Sequence, residues 1–130
     1  MKKAAVSYNF AVLRVVPHVY TGAFAPVGVI VHARTAEFLG MRVITDADEL
    51  ANRAGEADIE LLVKYLQSYE AICRGDESAG PIALAPPSER FHWLTAPRSD
   101  VIQCGPVHEG LTDDPAAALH ALFADTILRA

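Results

Sequence analysis

The stretch Tyr8-Asn9-Phe10-Ala11-Val12-Leu13-Arg14-Val15-Val16 governs how the rest of the chain is read. It is rich in aromatic and β-branched residues and apolar on both parities, as in a strand buried on both faces at the centre of a sheet. Pro17 ends it, and Thr21-Gly22 lies in the connection that follows. Val27 to Val31 reads as a second strand, in which Gly28 marks a bulge or a close backbone approach. Phe38 to Thr45 reads as a third, with Leu39, Met41 and Val43 on one face. Successive strands with short connections predict an antiparallel meander.

Beyond Thr45 the apolar period lengthens. Asp46 followed by Glu49 is a capping-box-like start for a short helix that Gly55 closes. A longer helix is predicted from about Asp58, because Ile59, Leu62, Val63, Leu66, Tyr69 and Cys73 recur on one face. Gly75 is its natural stop. Gly80-Pro81 and Pro86-Pro87 make residues 75–89 a loop with at most one extended turn. Short strands are predicted at Phe91–Leu94 and Val101–Cys104, separated by Pro97. Asp114-Pro115 then opens a final helix with the stripe Leu119, Leu122, Phe123 and Ile127. The order implies a single α+β domain over residues 1–130: an antiparallel sheet of about five strands with two to three helices packed on one face.

Polar residues concentrate between Arg90 and Asp114, in an otherwise apolar setting. If Phe91–Leu94 is a strand, Arg90 and His92 point one way while Phe91 and Trp93 enter the core. Arg98 and Ser99 follow Pro97 at a turn, where side-chain and backbone donors converge. Arg14 is the one charge in the first strand, and a buried guanidinium stays charged, so it needs a carboxylate or an anionic ligand. The functional reading is an anion-recognition pocket made by Arg14, Arg90, His92, Arg98, Ser99, Gln103 and His108. Arg supplies a planar fork for phosphate or carboxylate, and His92 or His108 is the candidate acid/base. The structural reading is that the same groups cap loops and pair with Asp113, Asp114 or Glu89.

Sharper chemistries fail on spacing. A two-histidine phosphoesterase carries Ser or Thr two residues after each His, which His92-Trp93-Leu94 and His108-Glu109-Gly110 lack. His92, His108, Asp113 and Asp114 have no tight metal-ligand spacing. Ser99 could join His108 and Asp113, but it lacks the glycine-flanked nucleophile turn. There is no glycine-rich phosphate loop. No metal and no cofactor is expected. His18, His32 and His120 stand apart and read as structural or solvated.

A length of 130 residues with 52% hydrophobic and 21% charged content fits one ordinary globular unit. Such a chain buries roughly two-thirds of its unfolded surface and needs no disulfide or metal to fold. Lys and Arg number 11 against 16 Asp and Glu, a net charge of −5. Bulk attraction to nucleic acid or anionic lipid is disfavoured, while a local basic pocket is not. Cys73 and Cys104 form neither a disulfide framework nor a zinc spacing, and read as reduced thiols. Lys2-Lys3 and Ala23-Phe24-Ala25 imitate a secretion signal, but Asn9 and Arg14 interrupt the stretch between them. Val15 to Ala33 lacks Asp, Glu, Lys and Arg, yet Pro17, Gly22, Pro26 and Gly28 break it, so it is not a membrane span. The expected place is the cytoplasm.

Three segments together resemble a bacterial family catalogued as domain of unknown function 3037. The most specific is Arg90-Phe91-His92-Trp93-Leu94 with Ala96-Pro97-Arg98-Ser99, Val101-Ile102-Gln103, Pro106-Val107-His108 and Leu111-Thr112-Asp113-Asp114-Pro115. The others are residues 8–17 and Val27-Gly28-Val29. In similar sequences an Asn precedes that Val-Gly pair, where this chain has Pro26. The resemblance implies a small cytoplasmic bacterial protein, often encoded beside a HipA-like kinase, with no established reaction. It favours a binding or regulatory partner of that kinase. The alternative is an enzyme acting on a phosphate-bearing small molecule or nucleic acid, with His92 or His108 as acid/base and Arg98 as charge clamp. A homo-oligomer paired through an edge strand such as Phe38–Thr45 is the third reading.

Overall fold

The computed structural model describes residues 4–17, 23–55, 57–97 and 101–128. The elements run β1 (Val6–Val15), β2 (Ala25–Ala33), β3 (Phe38–Val43), α1 (Ala47–Arg53), α2 (Ile59–Arg74), two short 3-10 turns, α3 (Pro87–Thr95), β4 (Ile102–Cys104), β5 (His108–Thr112) and α4 (Pro115–Phe123). A π turn, Ala124–Leu128, continues α4. The architecture is α+β, with one antiparallel five-stranded sheet in the order β3-β2-β1-β4 and β5 also paired with β1. The predicted meander β1-β2-β3 is therefore present, and the far edge of β1 pairs with β4 and β5. Val27 is left without a partner on β1 where the register slips between Leu13 and Arg14, which is the bulge that Gly28 signals. A Cβ on Gly28 would lie 2.9 Å from both the Arg42 carbonyl oxygen and the Val43 side chain, so the close approach is there as well.

Both faces of the sheet are covered. Every residue of β2 from Val27 to Ala33 is buried, which period-two alternation permits only if something packs on each side. Register places Ala11, Ile30 and Met41 on one face, against Ile72 and Cys73 of α2 and Phe91 and Leu94 of α3. Val31 pairs with Gly40, and at Gly40 an added Cβ would meet Leu119 of α4 at 3.1 Å, which places α4 on the opposite face. The expectation of helices on a single face is thereby corrected.

The helix ends behave as their residues dictate. Asp46 accepts a hydrogen bond from the Glu49 N–H at 2.9 Å, and Asp58 and Asp114 cap α2 and α4 in the same way. Gly75 ends α2 with φ of 76°, in the left-handed region where a side chain is strained. Arg53 joins α1 to the end of α4 by donating to the Ile127 carbonyl at 2.8 Å.

Residues 87–95 are a helix and not the predicted strand. Pro87 at the first helical position, followed by Ser88 and Glu89, favours a helix start, and Phe91 and Leu94 are buried three apart on its inner face. Trp93 therefore does not share the core with Phe91. Its side chain is 38% exposed and its ring tilts against Tyr69 at 6.0 Å. The fifth strand is instead β5, in a segment whose residues Glu109, Gly110 and Asp113 obscure the alternation.

Candidate functional site

Arg14 is an even-numbered residue of β1, in register with Gln103 of β4 on one side and Pro26 of β2 on the other. Cross-strand partners share a face, so its guanidinium leaves the sheet on the side opposite Leu13 and Val15, which are fully buried. There its Cζ lies 4.4 Å above the Phe24 ring, a cation–π contact. On its other side the guanidinium lies so close to Gly105 that a Cβ at that position would overlap it. Glycine at 105 is what lets the side chain lie there. Among the described residues no carboxylate pairs with Arg14.

The same guanidinium lines a hollow of about 240 Å³ with Val12, Phe24, Gly105, Pro106, His108 and Thr126. His108 comes from the first position of β5, paired with Phe10 across the sheet, and the two rings lie 5.3 Å apart. Tyr8 continues the row, its ring 6.0 Å from Phe10 and accommodated by Gly110, where a Cβ would meet the phenol. A half-buried cation, one exposed imidazole and three apolar walls are thus held by β1, the residue before β2, the 105–106 link and β5. This set can hold a negatively charged group by paired N–H donors, with the imidazole as a further donor or a proton carrier.

The other residues expected here are placed elsewhere. Arg90 is on α3, and its guanidinium is spent on backbone: Nε donates to Ala85 at 3.0 Å, and Nη1 to Cys73 at 2.7 Å and Ile72 at 3.3 Å. These carbonyls belong to the last turn of α2 and the loop after it, where a cation satisfies groups the helix leaves open. His92 does not sit beside Arg90 as strand alternation required. It lines a second, more open hollow of about 640 Å³ with Thr95, Ala96, Pro97, Cys104, Gly105, Pro106 and Val107. The two hollows share Gly105 and Pro106 as a common wall. Gln103 stands next to Arg14 in register. Arg98 and Ser99 lie outside the described residues, as does His18.

Two of the histidines read as isolated have defined partners. His32 is buried, with its ring stacked on Phe91 at 5.3 Å. Burial, followed by the charges of His92 and Arg34, holds its pKa below the ordinary imidazole value. His120 accepts from Arg42 Nη1 at 2.9 Å, and Arg42 also lies 4.7 Å over the Phe123 ring. Burial pushes the Cys73 thiol up to about 11, which leaves it protonated and inert near neutrality. Among the described residues no group of three or more His, Cys, Asp or Glu could hold a metal ion, and no helix is long and apolar enough to cross a membrane.

Sequence reasoning singled out Arg14 and His108 but passed over Phe24, Gly105, Pro106 and Thr126. The signal for Gly105-Pro106 was present: a turn-forming pair directly after a short apolar run. Phe24 opens the Phe24-Ala25-Pro26-Val27-Gly28 segment that resembles the family's, but with no chemistry attached to it there, and only the pairing of β1 with β2 brings it to Arg14. A family model described as a protein of unknown function (DUF3037) matches residues 10–127, nearly the whole chain. No curated protein and no solved structure matches it.

Proposed function

We propose that the chain, which belongs to the DUF3037 family, is a binding module that takes a phosphate or carboxylate group in the hollow between Arg14 and His108. The observation that carries this reading is Arg14 itself. A half-buried guanidinium has lost part of its hydration, and a cation–π contact of roughly 0.5–1 kcal/mol offsets only part of that loss. With no carboxylate partner for Arg14 among the described residues, an external anion is the complementary charge.

The test is a titration of the labelled protein with inorganic phosphate and with acetate, followed by NMR. Saturable shifts confined to residues 12–14 and 105–108, lost in Arg14→Gln, are the expected result. Shifts that never saturate, or that persist in Arg14→Gln, overturn the reading. Among the described residues His108 is the one imidazole on this hollow, so the enzymatic alternative there rests on it. Release of phosphate from a monoester, lost in His108→Ala, would move the assignment to that class. The regulatory half of the proposal places the module in the cytoplasm beside a HipA-like kinase, and stoichiometric co-purification of the two chains tests it. Clean separation at micromolar concentration counts against it.

A further inference from the structure

The anion-binding reading leaves open what the anion is attached to. From the walls of the same hollow we infer that its ligand is a small anion carrying a single ring, and neither a bare ion nor a polymer. This rests on the reading just given and deepens it.

Size is the first constraint. About 240 Å³ is below the roughly 300–1,000 Å³ of sites that enclose drug-sized ligands, so one ring and one charged group fill it. A dinucleotide or a peptide would have to extend beyond it. Wall chemistry is the second. Val12, Phe24 and Pro106 are apolar, whereas a site for a bare ion would surround it with donors. Phe24 is 52% exposed, a large apolar surface left facing water beside the cation. The exposed His108 ring, 5.3 Å from Phe10, adds a second π surface to the lining. Long-range charge is the third. A net charge of −5 repels a polyanion but costs a single anionic group little once Arg14 is beside it. The head group therefore meets Arg14 and the ring meets Phe24, Pro106 and His108.

The experiment compares matched probes on the full chain by NMR titration: phenyl phosphate against inorganic phosphate, and benzoate against acetate. Contact of one ring with an aromatic wall is worth enough to make each ring-bearing probe about tenfold tighter than its ring-free counterpart. Phe24→Ala, at an exposed position where folding is not at stake, also removes the ring on which the Arg14 guanidinium rests, so all four probes weaken, but the ring-bearing ones weaken severalfold more and the preference shrinks. Equal affinities within each pair, or a preference untouched by Phe24→Ala, overturn the inference while the anion site stands. Failure of all four probes to saturate, or equal binding by Arg14→Gln, overturns both. Whichever pair is tighter names the head group.

Discussion

Two corners of this molecule each hold one half-buried guanidinium, and the two are used in opposite ways. Where α3 meets the end of α2, Arg90 makes three hydrogen bonds to main-chain carbonyls. Where β1 meets the 105–106 link, Arg14 rests between the Phe24 ring and Gly105 with no carboxylate partner among the described residues. In the sequence both read as candidate anion binders. The difference is that helix ends supply unsatisfied carbonyls, while a strand paired along both edges, as β1 is at Arg14, uses its own in the sheet. A cation beside a helix terminus is already satisfied, and one on a strand between two neighbours has to look outward.

The α3 corner should be the costlier to disturb. Phe91→Ala, a buried ring, is expected to lose about 3–5 kcal/mol in urea unfolding, whereas Trp93→Ala loses under about 1 kcal/mol. Equal losses would mean that the indole, not the Phe91 ring, anchors α3. Arg90→Ala leaves helix-end carbonyls unmet and should cost about 3 kcal/mol with anion binding unchanged. Arg14→Ala should show the reverse, a stability change within about 1 kcal/mol and complete loss of anion binding. If Arg14→Ala destabilises as strongly as Arg90→Ala, both guanidinium groups are structural and the contrast collapses.

Gly105→Ala sharpens the picture at lower cost. The new methyl group displaces the Arg14 guanidinium, which should weaken anion binding about tenfold for roughly 1 kcal/mol of stability. In the double variant with Arg14→Ala the stability cost of the new methyl group should disappear, because no guanidinium is left to displace. An undiminished cost would show that something other than Arg14 constrains position 105.

The smallest expected effect is a pH dependence centred away from both guanidinium groups. The pKa of His32 lies below 6.5 in the folded chain, so on acidification the unfolded chain takes up the proton first. The stability that neutral His32 contributes is thus present above about pH 6.5 and lost progressively as pH falls through the folded value. Tm measured between pH 7.5 and 5 should fall more in the parent chain than in His32→Gln. Identical slopes would mean that the ring titrates as freely as an exposed imidazole.

Much of the frame was legible because local chemistry and global fold agree there. The buried centre of β1, the bulge at Gly28, the three Asp caps and the Gly75 stop each follow from residue type at a given spacing. Residues 87–95 misled because Phe91, His92 and Trp93 weigh toward a strand, while Pro87 at a helix start weighs more. That one change of period separates Arg90 from His92 and turns Trp93 outward. The site was half legible. Arg14 announces itself as a lone charge in an apolar strand, and His108 as an imidazole beside a turn. Phe24 and Thr126 reach the hollow only through strand pairing and the packing of α4, which no local pattern encodes.

The most direct test observes both guanidinium groups in one spectrum. With the side-chain Nε–H signals of Arg14 and Arg90 assigned, inorganic phosphate is added to the intact chain. The account predicts a saturable displacement of the Arg14 signal while that of Arg90 stays fixed against the Ala85 carbonyl. Equal drift of the two without saturation, or an Arg14 signal that never moves, would contradict it.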